Sequence, residues 1–198
     1  MNHSRRVNFV TISKTGSHII KGSIKLQCKS FHFFHTYDTY EMKNFNRDFD
    51  FLYLTRKKTY EYVITQAYSY YLLDKVLHKH NLYNEEDVEF YFQKQLEYYN
   101  GNKITLTRKF VLDTLKQLEL FYKFYSENPS NYPTLYYEDI SLDAETELKK
   151  WNFEYFPEFS SIKKKKIPYE EVFANLYEHE SFFYKLENKM KEQYKIHF

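Results

Sequence analysis

The sequence has few of the residues that build special covalent or backbone structures. Its 198 residues include a single cysteine, so no disulfide can form within the chain, and no group of cysteine and histidine has the spacing of a zinc site. Only three glycines are present, and none precedes Gly16. The chain therefore lacks the Walker A order, in which lysine follows glycine, and a magnesium-nucleotide P-loop is not expected.

Long apolar runs and strong net charge are also lacking. No run approaches the roughly twenty residues of a membrane span, and no signal-peptide pattern opens the chain. The net charge of +2 favours neither nucleic acid nor a membrane surface as a partner. We therefore expect a soluble, cytoplasmic protein with one domain over residues 1–198, long enough to enclose a sizeable core.

Short apolar stretches alternate with longer amphipathic ones along the chain. The predicted strands are Val7–Ile12, Phe31–Phe34, Asp50–Thr55 and Pro133–Tyr137. The first predicted helix follows the turn that ends at Ser17, and it ends near Cys28 to Ser30. The other predicted helices are Tyr60–Lys79, Asn84–Tyr99, Ile104–Ser126, Ser141–Trp151 and Tyr169–Tyr194. This alternation predicts a three-layer α/β fold, with a short, mostly parallel sheet flanked by helices.

The connection between the first strand and the first helix has the composition of an anion site. Lys14 adds a positive charge, Gly16 allows close approach of the backbone, and Thr15 and Ser17 add hydroxyl donors. The first N–H groups of the following helix, which include that of His18, point towards a bound anion. The pattern predicts a phosphate or phosphosulfate site.

Polar residues follow two further predicted strands. His35 comes after the aromatic strand, and Arg56 comes directly after Asp50–Thr55. Ligands of parallel sheets bind beyond the carboxyl ends of the strands, so we expect Lys14, His35 and Arg56 at one edge of the sheet.

Two segments resemble the signatures of sulfotransferases that use 3′-phosphoadenosine 5′-phosphosulfate. The tetrapeptide Lys14–Ser17 after a strand resembles their 5′-phosphosulfate loop. The segment LYLTRKKTYEYVITQAYSYY resembles the second signature, in which a strand-end arginine and a hydroxyl on the next helix hold the 3′-phosphate. The resemblance assigns these roles to Arg56 and to Thr65, with Ser69 as the alternative hydroxyl. Lys57-Lys58 replaces the pair that commonly follows the arginine.

The resemblance also implies a catalytic base between the two signatures. His35 in FFHTYD occupies a matching place, and histidine exchanges protons near neutral pH. His32, His18 and a carboxylate such as Asp38 or Glu41 are the alternatives.

Two later segments also resemble the family. LYYEDI resembles a segment of these enzymes that has an architectural role as a strand end and helix cap, and Glu138 could in addition orient a residue of the anion site. The lysines at 163–166 lie where these enzymes often have a basic loop over the donor, although a charge run is more often simply solvated.

The resemblance implies a P-loop-like sulfotransferase core without a metal. Lys14 and the Thr15–Ser17 amides would hold the 5′-phosphosulfate, and Lys14 would act in catalysis by stabilising charge on the bridging oxygen as the sulfuryl group leaves. His35 would deprotonate an acceptor hydroxyl on a glycan, lipid or small molecule. The alternatives are a nucleotide or small-molecule kinase and a non-catalytic interaction protein with the same core. The sequence predicts neither the acceptor nor the oligomeric state.

Overall fold

The computed structural model of the protein describes residues 4–12, 17–35, 45–73, 93, 97, 100–159 and 169–197. Within these ranges the strands are β1 (Arg6–Thr11), β2 (Ser30–His35), β3 (Asp50–Thr55) and β4 (Leu135–Tyr136). The α-helices are α1 (His18–Leu26), α2 (Tyr60–Tyr68), α3 (Arg108–Glu127), α4 (Tyr137–Leu142), α5 (Ala144–Lys149), α6 (Tyr169–Val172) and α7 (Glu180–Gln193). A π-helical turn, Ser69–Leu73, continues α2, and a 3₁₀ turn covers Pro157–Phe159.

The four strands form one parallel sheet in the order β2-β1-β3-β4. This confirms the α/β class and the parallel sheet. Thr11 of β1 lies beside His35 of β2 and Leu54 of β3, so the strands end together at one edge, which we call the carboxyl edge. The chain leaves β1 for β2 on one side and returns to the other side for β3. The order therefore reverses between β1 and β3, which makes this the topological switch point of the sheet.

Alternating side chains of each strand pack into two apolar clusters on opposite faces of the sheet. Val7 and Phe9 of β1 pack with α1 and Trp151 on one face. Val10 packs with α2, α3 and α7 on the other face. The sheet is therefore the middle of three layers, as predicted.

The predicted helix Ile104–Ser126 begins later than expected, at Arg108. The Thr107 side chain accepts a hydrogen bond from the Phe110 N–H at 3.2 Å and so caps the helix. Ile104 instead forms an isolated parallel bridge with Phe173, and both side chains are buried.

The predicted helix Ser141–Trp151 was wrong as one element. The chain forms α4 and α5 with a break at Asp143, whose carboxylate accepts from the Thr146 N–H at 3.0 Å and caps α5. Its strong capping preference outweighs the continuous helical pattern.

Two other predicted elements are shorter or divided in the structure. Tyr169–Tyr194 is divided into α6 and α7 by the turns at 173–179, and the Pro133–Tyr137 strand is reduced to β4. The described part of the predicted Tyr60–Lys79 helix, residues 60–73, is helical throughout, and residues 74–79 lie outside the described residues. Nearly all of the predicted Asn84–Tyr99 helix lies outside them. No helix in the described ranges is long and apolar enough to cross a membrane.

Candidate functional site

Two of the predicted site residues lie at the carboxyl edge on either side of β1. His35 is the last residue of β2, and Arg56 is the first residue after β3. Neighbouring strands lie about 4.8 Å apart, so the ends of β2 and β3 are separated by about 10 Å, with the end of β1 between them. The strand-end prediction is therefore confirmed for His35 and Arg56. Lys14, Thr15 and Gly16 lie outside the described residues.

The start of α1 follows the end of β1 and lies at the same edge. Ser17 is buried, and its carbonyl accepts from the Ile20 and Lys21 N–H groups at 3.2 and 2.8 Å. His18 is the first helical residue, and the first turn contains no acidic side chain. The positive end of the helix dipole is therefore not neutralised by a carboxylate within its own first turn.

Arg56 is a buried cation held on two sides. Its side chain is only 8% exposed, and Nη1 lies 3.1 Å from Oε2 of Glu61. Its guanidinium carbon lies 4.4 Å from the centre of the Tyr137 ring. The Glu61 side chain is 46% exposed, so its carboxylate can turn towards water without leaving a buried position. The buried Arg56 side chain stays in place when it does.

Thr65 and Ser69 differ in how far they lie from this cation. The Thr65 hydroxyl donates to the Glu61 carbonyl at 2.7 Å, one helical turn after the residue that pairs with Arg56. Ser69 lies beyond the end of the nine-residue α2, about 13 Å along the axis from its start at the edge. The geometry favours Thr65 over Ser69 as a neighbour of a ligand bound to Arg56.

Tyr169, which the sequence did not indicate, borders the same cluster. Burial raises the pKa of the Tyr169 hydroxyl above its ordinary value, and the nearby Thr65 hydroxyl and Arg56 charge oppose this rise. Its ring also contacts Tyr68 edge-on, with 5.6 Å between the centres. No local pattern signals this role, because Tyr169 approaches Arg56 only through the packing of α6 against α2.

Glu138 holds the turn that follows Arg56. Its carboxylate accepts from the backbone N–H groups of Lys57 at 2.9 Å and Lys58 at 3.3 Å. Asp139 accepts from Nζ of Lys57 at 2.6 Å. The sequence suggested that Glu138 could orient a residue of the anion site, and its contacts here are with the backbone of the turn.

His35 lies on the face of the sheet that α1 covers. Its ring meets the Phe33 ring edge-on, with centres 4.7 Å apart, and Nζ of Lys21 in α1 lies 3.7 Å from the centre of that same Phe33 ring. His32 lies three residues, about 10 Å, back from the strand end and faces the opposite side, against Phe49. Of these two histidines, His35 is the one placed to meet a ligand at the carboxyl edge.

The remaining alternatives cannot be placed beside it. Asp38, Glu41 and the lysines at 163–166 lie outside the described residues. Within the part of the chain that the structure describes, no three His, Cys, Asp or Glu side chains come together as a possible metal site.

The described edge can bind an anion and exchange a proton. Arg56 provides a preorganised fork of donors, which suits a phosphate group. Histidine at a strand end can accept a proton near neutral pH. No protein-family model, no curated protein and no solved structure matches this chain.

Proposed function

We propose that the protein is a sulfotransferase that moves a sulfuryl group from 3′-phosphoadenosine 5′-phosphosulfate to an acceptor hydroxyl. The observation that carries the proposal is the position of the α1 start, His35 and Arg56 around the topological switch between β1 and β3. In open α/β sheets this crevice is where ligands bind. The positive end of the α1 dipole on one side of it and the Arg56 guanidinium on the other suit a donor that carries two separate anionic groups.

Each residue has a defined part in this proposal. Arg56 binds the 3′-phosphate bidentately after Glu61 turns away, and the Thr65 hydroxyl turns from the Glu61 carbonyl to donate a hydrogen bond to the same group. The amide groups at the start of α1, with Lys14, bind the 5′-phosphosulfate.

The transfer itself needs one proton acceptor and one stabilised leaving group. His35 takes the proton of the acceptor hydroxyl as the acceptor oxygen bonds to sulfur. The bond between sulfur and the bridging oxygen then breaks, and adenosine 3′,5′-bisphosphate leaves with the negative charge. As in phosphoryl transfer, most of the rate acceleration comes from alignment and preorganised charge.

The first test is binding of adenosine 3′,5′-bisphosphate measured by calorimetry, with AMP and ATP-Mg as comparisons. We expect the bisphosphate to bind most tightly, and at a hundred times its dissociation constant it should stabilise the fold by about 2.7 kcal/mol. Arg56→Lys keeps the charge but loses the planar fork, so it should reduce the preference over AMP. Arg47→Lys is the matched control, because Arg47 precedes β3 at the opposite edge of the sheet.

Each alternative has its own result in this assay. Equal affinity for the bisphosphate and AMP would remove the 3′-phosphate role from Arg56. Tightest binding of ATP-Mg would favour the kinase, and no binding of any nucleotide would favour a non-catalytic interaction protein.

The second test concerns His35. His35→Ala should lower the rate of sulfuryl transfer by about a hundredfold to ten thousandfold and leave bisphosphate affinity nearly unchanged, since the imidazole acts on the acceptor proton. His32→Ala is the matched control on the same strand. A larger rate loss in the His32 variant would reassign the base.

A further inference from the structure

The residues that follow β3 and β4 stay in contact with each other beyond the end of the sheet. The two strands pair only at Leu54 with Leu135 and at Thr55 with Tyr136. Beyond that point each of the next three residues of one chain segment meets a residue of the other. We call Tyr137–Asp139 the acidic clamp and Arg56–Lys58 the cationic turn.

The contacts between the two segments follow the order of the chain. The Tyr137 ring stacks on Arg56, Glu138 binds the backbone of Lys57 and Lys58, and Asp139 pairs with the Lys57 side chain. A carboxylate that accepts two N–H groups makes charge-assisted hydrogen bonds, which are shorter and stronger than neutral ones. The clamp therefore holds the backbone of the turn and places the Tyr137 ring against the guanidinium.

Fixing the guanidinium matters because bidentate binding depends on direction as well as charge. A planar fork can meet two phosphate oxygens only from a limited set of angles. Arginine has a long side chain with considerable rotamer entropy, and holding it before the ligand arrives reduces the entropy lost on binding. The stack on Tyr137 restricts the plane, and the Glu138 contacts restrict the position of the Cα atom that carries it.

We infer that the acidic clamp is a positioning element that aims Arg56 at the 3′-phosphate and so sets the preference for a 3′-phosphorylated nucleotide. This inference rests on the proposed function. Tyr137 and Glu138 are positioning residues in it, because they act on the ligand through Arg56 and its turn. The clamp leaves the charge of Arg56 unchanged and acts on the direction of its guanidinium. Its expected effect is therefore on the preference for a nucleotide that carries a 3′-phosphate.

The test compares the ratio of the dissociation constants for AMP and adenosine 3′,5′-bisphosphate across paired variants. Tyr137→Leu removes the ring and should reduce this ratio about threefold to thirtyfold, the range of a cation–π contact. Tyr137→Phe keeps the ring and should restore the ratio to within about twofold of the unmodified protein. Glu138→Ala should also reduce the ratio, and Glu138→Gln, which still offers one acceptor oxygen, should recover part of it.

A matched control exists at the other edge of the sheet. The guanidinium of Arg5 lies over the Tyr132 ring at 4.8 Å, so Tyr132→Leu removes a similar stack far from the carboxyl edge. That variant should leave the ratio unchanged even if its thermal midpoint falls. The Phe and Gln variants keep the comparison available if Tyr137→Leu does not fold.

The possible results separate this inference from the proposed function. If the unmodified protein binds the bisphosphate no more tightly than AMP, both the proposed function and the inference are overturned. If it prefers the bisphosphate and every clamp variant keeps the same ratio, only the inference is overturned. Equal loss of AMP and bisphosphate affinity would also overturn it, since this would show a general structural role.

Discussion

A buried carboxylate in α7 holds the start of α2, and its removal gives a sharp test of how the site is supported. Glu187 is 0% exposed. It accepts from the Thr59 hydroxyl at 2.7 Å and from the Tyr122 hydroxyl, and Nζ of Lys191 lies 3.2 Å from its Oε1. Thr59 directly precedes α2, so this network joins α2, α3 and α7 beside the cationic turn.

Glu187→Leu should lower the free energy of unfolding by about 2–4 kcal/mol. The substitution leaves the hydroxyls of Thr59 and Tyr122 buried without their acceptor, at a cost of about 1–3 kcal/mol each. The leucine side chain offsets this by less than the roughly 1.5–3 kcal/mol of a full apolar burial, because the methylene groups of Glu187 are already buried. Glu187→Gln keeps an acceptor of the same size but loses the charge, so its cost should be smaller, about 1–2 kcal/mol.

Urea denaturation measures these differences as a change in midpoint at constant slope. Glu192→Gln is the matched control on the same helix, where the side chain is exposed, and it should change stability by less than about 0.5 kcal/mol. Adding Tyr122→Phe to Glu187→Leu should restore part of the loss, because it removes one orphaned hydroxyl. A Leu variant as stable as the unmodified protein, or no recovery in the double variant, would refute the reasoning.

Two further predictions concern close packing and alkaline pH. Gly22→Ala should lower the thermal midpoint, because the new Cβ would lie 2.6 Å from the Phe159 carbonyl oxygen. Overpacking of this kind costs about 1–3 kcal/mol, which exceeds the gain of at most about 1 kcal/mol from replacing glycine by alanine in a helix. An unchanged or raised midpoint would contradict this. Burial raises the pKa of Tyr60 and Tyr68 to about 12, against about 10 in the unfolded chain. Because the pKa is higher in the folded chain than in the unfolded one, the folded state keeps its full stability below about pH 10 and loses stability as the pH rises towards about 12. Urea midpoints should therefore fall over that range while tyrosinate absorbance rises. A constant midpoint would contradict this prediction.

The strands could be predicted because their signal is local. The short apolar run of Asp50–Thr55 predicted β3 with the correct bounds, and the predicted bounds of β1 and β2 differ from the structure by one residue at each end. The helices were less well predicted because their ends depend on single capping contacts. In the sequence, Asp143 could either continue a helix or cap one. In the folded chain its carboxylate accepts a hydrogen bond from the Thr146 N–H, which shows that it caps a helix.

Some features of the candidate site could likewise be predicted from local sequence, and others depend on contacts with distant residues. Arg56 could be placed at the carboxyl edge because a strand end is a local feature, and the helical rise orders Thr65 and Ser69 by distance from it. Glu61 lies only five residues away, yet its pairing depends on how the turn at 57–59 directs α2. That direction is set in turn by Glu138, about eighty residues later in the chain.

The surroundings of Arg56 therefore follow from the register between β3 and β4. Pairing of Thr55 with Tyr136 places the next residue of each chain, Arg56 and Tyr137, side by side, and their stack follows from that position. A slip of one residue would move every side chain of β4 to the other face and bring Glu138 opposite Arg56 instead. Two paired residues are a weak determinant of register, so the clamp contacts themselves must help to fix it. The same three side chains then stabilise the edge of the sheet and orient its buried cation, and Tyr137→Leu and Glu138→Ala should each lower stability and 3′-phosphate preference together.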